Sequence, residues 1–209
     1  MLPMPKRGLY AITHTENQTI DAVLAQVHAV LRGGARLVQY RDKNPIDAPL
    51  LAKKLVQLCH RYDVPLLIND NVELALLVGA DGVHLGKSDG SIVEARVRLG
   101  ESAIIGVSCY NDLKRAVDAQ AQGANYVAFG RFFASNSKPL AAPADVEILT
   151  KAKKQITLPI VAIGGIVVEN GYDLLSAGAD LLAVIGGLMT SEPEVTACCY
   201  ANLFTLDTA

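Results

Sequence analysis

The chain has 209 residues, 51% of them hydrophobic and 19% charged, with a formal net charge of −2 at neutral pH. That length fits one domain, and the apolar share suits a sheet covered on both faces. So small a net charge gives no electrostatic case for a nucleic acid or an anionic membrane as partner. The opening MLPMPKRGLYAIT has no apolar stretch of signal-peptide length after Lys6 and Arg7, so a cytoplasmic location is expected. The longest apolar run, Leu158 to Val168, has 11 residues with two glycines and a proline, too short to cross a bilayer. Cys59, Cys109, Cys198 and Cys199 form no CxxC pair and are expected as free or buried thiols in a reducing compartment.

Taken in chain order, eight short apolar runs read as strands: Gly8–Ile12, Leu37–Tyr40, Pro65–Ile68, Gly82–Leu85, Ile104–Val107, Tyr126–Phe129, Ile160–Ile163 and Leu182–Ile185. They are nearly continuous in Val, Ile and Leu, as strands buried on both faces are. Helical patterns lie between them. Thr19 to Arg32 sets Ile20, Val23, Leu24, Val27 and Leu31 on one face, and Ala48 to Tyr62 does the same with Leu51, Leu55 and Leu58. Asn71–Val78, Ser91–Leu99, Leu113–Gln122, Val146–Gln155, Glu169–Ser176 and Thr196–Leu206 complete the helices, with Ser91 and Asn111 as expected N-caps.

A faint repeat supports this alternation. Gly-Ala followed by a polar residue recurs at Gly34, Gly79, Gly123 and Gly178, in steps of 45, 44 and 55 residues. Each glycine falls where a helix must end in a left-handed residue before the next strand. Eight strand-helix units make an α/β single-domain (β/α)8 TIM barrel spanning residues 1–209, near the small end of that fold's range.

In such a barrel the active site lies at the carboxyl ends of the strands. Those ends carry Thr13-His14, then Gln39, Arg41 and Lys43, then Asn69 and Asp70, then His84, Gly86 and Asp89, then Ser108. Arg131 follows the sixth strand, ahead of a loop with Ser135, Ser137 and Lys138. Gly164-Gly165 and Gly186-Gly187 follow the last two. Asp70 and Asp89 fall on one rim, one strand apart. Two carboxylates with no His or Cys between them suit Mg²⁺ rather than zinc. Taken alone, Asp70 also suits a helix N-cap and Asp89 a turn. Gln39, Arg41 and Lys43 alternate along one strand, so their side chains are expected to share a face; a strand end already in solvent is the alternative. Cations beside acids point to a polyanion held partly by metal and partly by Arg and Lys. The Gly-Gly pairs suit either a phosphate bound by backbone N–H groups or close packing. The phase of His84 leaves its face open.

At VQYRDK (38–43), LLIND (66–70), GADGVHLGKSD (79–89), IGVS (105–108), GANYVAFGRFFASNSK (123–138), PIVAIGGI (159–166) and GADLLAVI (178–185), the chain resembles the thiamine-phosphate synthase family, also called thiamine-phosphate pyrophosphorylase. The resemblance runs from Gly8 to about Met189. It implies a transferase that joins hydroxymethylpyrimidine diphosphate to thiazole phosphate, giving thiamine phosphate and pyrophosphate, with Mg²⁺ as cofactor. It implies a dissociative mechanism in which pyrophosphate leaves before the thiazole nitrogen attacks. Gln39 and Arg41 would contact the pyrimidine. Arg41, Lys43, Asn69, Ser108 and Lys138 would grip the diphosphate; of these Arg41, Lys43, Ser108 and Lys138 would assist catalysis. Asp70 and Asp89 would hold Mg²⁺, and Ser135, Ser137, Gly165, Ile185 and Gly186 would receive the thiazole phosphate. Partners would be these small molecules only; a homo-oligomer is left open.

Three positions depart from the family pattern. Ser135-Asn136-Ser137-Lys138 stands for Thr-x-Thr-Lys and keeps the hydroxyls, Lys87 stands for a Gln, and Gly186 stands for a Ser. Two rival readings share the span: a thiazole tautomerase-like isomerase, and a non-catalytic barrel that binds a phosphorylated ligand. Asp89 and Arg131 speak against the first. Asp70, Asp89, Arg41, Lys43 and Lys138 together speak against the second. The loop from Phe132 to Ala144, long and rich in small residues, is expected to close as a lid that carries Lys138.

Overall fold

Among the described residues of the computed structural model, eight strands alternate with eight α-helices: β1 Gly8–Ile12, α1 Ile20–Arg32, β2 Leu37–Tyr40, α2 Ala48–His60, β3 Leu66–Asn69, α3 Val72–Val78, β4 Gly82–Leu85 and α4 Ile92–Leu99 in the first half. The second half has β5 Ile104–Tyr110, α5 Leu113–Ala121, β6 Tyr126–Phe129, α6 Glu147–Lys153, β7 Ile160–Ile163, α7 Val168–Ser176, β8 Leu181–Val184 and α8 Pro193–Leu203. The structure describes residues 1–45, 47–87, 89–134, 143–188 and 190–205. The strands pair in parallel, in sequence order, and β8 returns to β1, closing the (β/α)8 barrel that the alternation predicts. No helix among the described residues is long and apolar enough to cross a membrane.

Alternate residues of each strand face opposite ways, and both ways are covered. In β8, Leu181 and Ala183 belong to the cluster inside the barrel, while Leu182 and Val184 belong to the larger cluster shared with the helices. This explains the unbroken apolar runs. Burying each such large side chain is worth about 1.5–3 kcal/mol. The inward positions change character along the strand. Leu37 is followed two residues on by Gln39, Leu67 by Asn69, Gly82 by His84 and Gly106 by Ser108. The barrel interior is thus apolar at its base and polar at its mouth.

The Gly-Ala-polar repeat has a structural meaning at each of its three positions. Gly34, Gly79, Gly123 and Gly178 all have positive φ, from 68° to 118°. At all four, the glycine N–H bonds the carbonyl three residues back and the alanine N–H bonds the carbonyl five back, the paired closure of a Schellman motif. The polar residue then caps the preceding strand. Asp81 accepts the Leu66 N–H (2.9 Å), Asn125 the Ile105 N–H (2.8 Å) and Asp180 the Ile160 N–H (2.8 Å). Each also takes a donor from the helix before that strand: His60 Nε2, Arg96 Nη2 and Lys153 Nζ respectively. Arg36 is the exception; its stem packs against Gly8, where any Cβ would collide with it.

Some boundaries differ from the sequence expectation. β3 starts at Leu66 rather than Pro65, β8 at Leu181 rather than Leu182, and α8 at Pro193, a residue pre-set for the first helical turn, rather than Thr196. β5 runs three residues past Val107, to Tyr110, through an irregularity after Ser108. Asp112, not Asn111, caps α5 by accepting the Arg115 N–H; Asn111 instead accepts the Asp145 N–H.

Candidate active site

The polar mouth opens into a cavity of about 570 Å³. Of the residues singled out from sequence, Gln39, Arg41, Asn69, Asp70, Asp89 and Ser108 line it, as do Gly165, Ile185 and Gly186 on the β7–β8 side. Lys43 does not line it. β2 ends at Tyr40, so the strand alternation expected to carry Lys43 to the same face stops short, and Lys43 is exposed. Ser135, Ser137 and Lys138 lie outside the described residues, as does most of the expected lid.

The two acids are set by local backbone. Asp70 follows β3 directly with φ of 63°, a conformation Asp tolerates better than most residues, and its N–H bonds the His84 carbonyl at 2.8 Å. The cap of α3 is Asn71, whose side chain accepts the Leu74 N–H at 2.9 Å. Asp70 is therefore not the N-cap its position also allowed. Its Oδ2 accepts Asn69 Nδ2 at 2.5 Å. Asp89 turns back toward β4, where Oδ2 accepts the Gly86 N–H at 2.8 Å. A Cβ on residue 86 would collide with that oxygen, so only glycine lets the carboxylate return. Among the described residues, no group of three or more His, Cys, Asp or Glu side chains is placed to hold a metal. Two carboxylates on an open rim are a hard-oxygen donor set. They fit Mg²⁺, which keeps waters and takes phosphate oxygens, and fit zinc poorly.

Three further contacts shape the rim. Thr13 and Arg41 clasp each other: the Arg41 N–H donates to Thr13 Oγ1 at 2.9 Å, and that hydroxyl donates to the Arg41 carbonyl at 3.1 Å. Arg115, on α5, donates Nε to the Ser108 carbonyl (2.8 Å) and Nη2 to the Gly86 carbonyl (3.0 Å), bridging the ends of β4 and β5. Past β6, Phe132 N–H bonds Ile163 O, Phe133 N–H bonds Gly164 O, and Ala144 N–H returns to Arg131 O, so both ends of that loop are tied to the rim. Gly164 and Gly165 have positive φ, and any Cβ on them would collide with Arg131 and Ala134. Close packing is thus one role of that pair, and Gly187 likewise packs on Tyr200. Of these four glycines, Gly186 alone has open space where a side chain would go.

Beneath the cavity lies an aromatic layer whose two tyrosines were not singled out from sequence: Tyr10 and His84 line the cavity, and Tyr126 lies behind them. Tyr10 and Tyr126 point inward from β1 and β6, fully buried, with rings edge-to-face at 5.9 Å. His84 also faces inward, 8% exposed and stacked on Tyr126 at 5.6 Å. Gly106 makes this possible, since any Cβ there would collide with the Tyr126 ring. Burial holds the hydroxyls of Tyr10 and Tyr126 well above the ordinary phenol range, so both keep their protons. The sequence signal was phase: Tyr10 precedes inward Ile12, and Tyr126 precedes inward Ala128, each by two residues.

A closed barrel whose mouth gathers two acids, an arginine clasped to the rim and a glycine-lined far wall has the architecture of a (β/α)8 enzyme with its site at the carboxyl ends of the strands. Comparison with known proteins narrows the class. The family model described as thiamine monophosphate synthase matches residues 9–188, and the chain belongs to that family. It is 53% identical over 189 residues to a thiamine-phosphate synthase of Marinobacter nauticus, covering 90% of this chain and 85% of the relative. To a thiamine-phosphate synthase of Nitrosococcus oceani it is 50% identical over 201 residues, covering 95% and 93%. Among solved structures, a thiamine phosphate pyrophosphorylase from Pyrococcus furiosus superposes with a TM-score of 0.87 at 32% identity, covering 98% of both chains.

Proposed function

We propose that this barrel joins hydroxymethylpyrimidine diphosphate to thiazole phosphate, forming thiamine phosphate and releasing pyrophosphate. The observation that carries the reading is sequence identity near 50% along nearly the whole chain to relatives named for that activity. The site chemistry supports it. Arg41, Asn69 and Ser108 stand on the same rim as Asp70 and Asp89, where a diphosphate would meet both cationic and metal-held positions. Asp70 and Asp89 would hold Mg²⁺, which when bound supplies positive charge against the charge developing on the departing pyrophosphate. Tyr10 and His84, which line the cavity, give a flat heterocycle a surface to lie against. The open wall at Ile185 and Gly186 leaves room for the thiazole phosphate opposite the diphosphate.

Within this reading the chemistry is dissociative. The C–O bond between the pyrimidine methylene and the diphosphate breaks first, and the electron pair leaves with pyrophosphate. The thiazole nitrogen then forms the new C–N bond to the methylene carbon. No side chain acts as nucleophile. The residues bind, align and neutralise charge, with Arg41 and the Ser108 hydroxyl on the leaving group. Lys43 and Lys138 belong to the same proposal on the strength of the family resemblance.

A coupled assay for pyrophosphate release, with both substrates and a Mg²⁺ titration, tests the reading. Turnover that requires both substrates and Mg²⁺ is expected. Isomerisation of a thiazole without Mg²⁺ would replace it with the tautomerase reading, and affinity without turnover would replace it with a binding barrel.

A further inference from the structure

The layer beneath the cavity contains an unbroken run of hydrogen bonds crossing five strands. Gln39 Nε2 donates to Tyr10 Oη at 2.6 Å. Tyr10 Oη lies 2.8 Å from Tyr126 Oη. Tyr126 Oη lies 2.8 Å from His84 Nδ1, and His84 Nε2 lies 2.8 Å from Ser108 Oγ. The chain starts at a buried amide, 2% exposed, and ends at a hydroxyl that lines the cavity.

With the imidazole neutral, donor counting favours one direction: the reverse order leaves the Tyr10 proton with no acceptor in the run, whereas this one gives both phenol protons a partner. A tyrosine hydroxyl has a single proton, and an amide nitrogen can only donate. Because Gln39 donates to Tyr10, the Tyr10 proton is free to go to Tyr126. The Tyr126 proton then goes to His84, which makes Nδ1 an acceptor. A neutral imidazole with Nδ1 accepting carries its proton on Nε2. That N–H donates to Ser108 Oγ, and the serine's own proton is left for another acceptor. Both phenols stay protonated because burial opposes their ionisation, so neither link is broken by loss of a proton.

We propose that Tyr10, Tyr126 and His84 are positioning residues that hold His84 in its Nε2–H form and turn the Ser108 hydroxyl into a donor aimed at an anionic oxygen in the barrel mouth. The proposal rests on the reading that a diphosphate is bound there. The same chain would disfavour a hydrogen-bond donor beside Ser108, because Oγ already receives one from His84. It explains why an otherwise apolar barrel base carries two tyrosines and a glycine at position 106: the ring of Tyr126 needs that glycine to sit between Tyr10 and His84.

The test has three arms, all on the full-length chain. Long-range nitrogen-proton NMR of the imidazoles in the unmodified protein should show His84 with a proton on Nε2. A proton on Nδ1 overturns the proposal whatever the enzyme catalyses. Calorimetry with inorganic pyrophosphate and Mg²⁺ then compares Tyr126→Phe, Ser108→Ala and the double variant. Tyr126→Phe removes one oxygen and keeps the ring; it should weaken pyrophosphate roughly two- to tenfold, the scale of one hydrogen bond. In the Ser108→Ala background the same change should have almost no further effect. Equal losses in both backgrounds would show a general structural effect and overturn the chain, as would a Ser108→Ala variant that binds pyrophosphate unchanged. Tyr10→Phe, one link further away, should reproduce the Tyr126→Phe pattern. Failure of the synthase reading itself would appear separately, as absence of coupled turnover in the unmodified protein.

Discussion

Placing a serine at position 186 should sharpen one substrate pocket and leave the other alone. Gly186 opens the short 3₁₀ turn Gly186–Leu188 after β8, and no heavy atom lies within 4 Å of where its Cβ would stand. Its φ is not positive, so a side chain adds no backbone strain. The cost of Gly186→Ser is therefore small, and loss of glycine's freedom in the unfolded chain should leave the protein no less stable. The gain is at most one hydrogen bond to a charged group, about 1.5–3 kcal/mol. At 1.36 kcal/mol per tenfold, that is about 10- to 150-fold in affinity for the thiazole phosphate. Isothermal titration of each substrate into both proteins measures it directly. A change in affinity for the pyrimidine diphosphate, with the thiazole phosphate unmoved, would refute the assignment of the β8 end to the thiazole side.

Asp89→Asn should keep the bond from the Gly86 N–H and leave the melting temperature nearly unchanged. It should nevertheless raise the Mg²⁺ concentration needed for half-maximal turnover at least tenfold, and an unaltered Mg²⁺ curve would remove Asp89 from the metal site. Burial pushes the Cys109 thiol up to about 12 from an ordinary value of 9. Its contribution to stability is therefore complete below pH 9 and declines between 9 and about 12, because the unfolded chain ionises first. Cys109→Ala should flatten the fall of melting temperature with pH across that window, and an identical slope would show that the thiol does not titrate there.

The parts of the fold that were readable in sequence are those set by local chemistry. Gly79 can be read as a helix stop because its left-handed backbone is needed wherever α3 must turn into β4. The apolar strands can be read because both faces are covered. Asp70 and Asp89 could be placed on one rim because parallel strands joined by a helix finish on the same side. The failures have a different origin. The place of Lys43 depended on where β2 stops, and strand ends are set by neighbours rather than by residue type. The inward face of His84 could not be decided until the register of β4 with β3 and β5 was known, with Asn69 and Gly106 beside it. Tyr10 and Tyr126 stand 116 residues apart and meet only because the barrel closes.

Arg115 offers a way to separate scaffolding from function at the same rim. It sits on α5, outside the cavity, yet its guanidinium reaches two strand-end carbonyls that serve different parts of the site. Gly86 leads into the turn that brings Asp89 back, and Ser108 ends the hydrogen-bond chain beneath the cavity. One rigid planar fork therefore fixes the spacing between a proposed metal ligand and a proposed diphosphate donor. Lysine keeps the charge but not the fork, so Arg115→Lys cannot hold both carbonyls in the same geometry. The stability cost should be modest, about 1–3 kcal/mol, since the lost bonds are only partly buried. The functional cost should fall on two measurements together: a higher Mg²⁺ requirement and a higher KM for the pyrimidine diphosphate. Affinity for the thiazole phosphate, proposed to bind at the β7–β8 side, should not move. If the melting temperature drops while both of those dependences stay as they were, Arg115 is a clip between β4 and β5 and nothing more. If thiazole phosphate binding weakens by the same factor as the diphosphate, the barrel mouth has loosened as a whole, and the division of the site into two separately held halves is wrong.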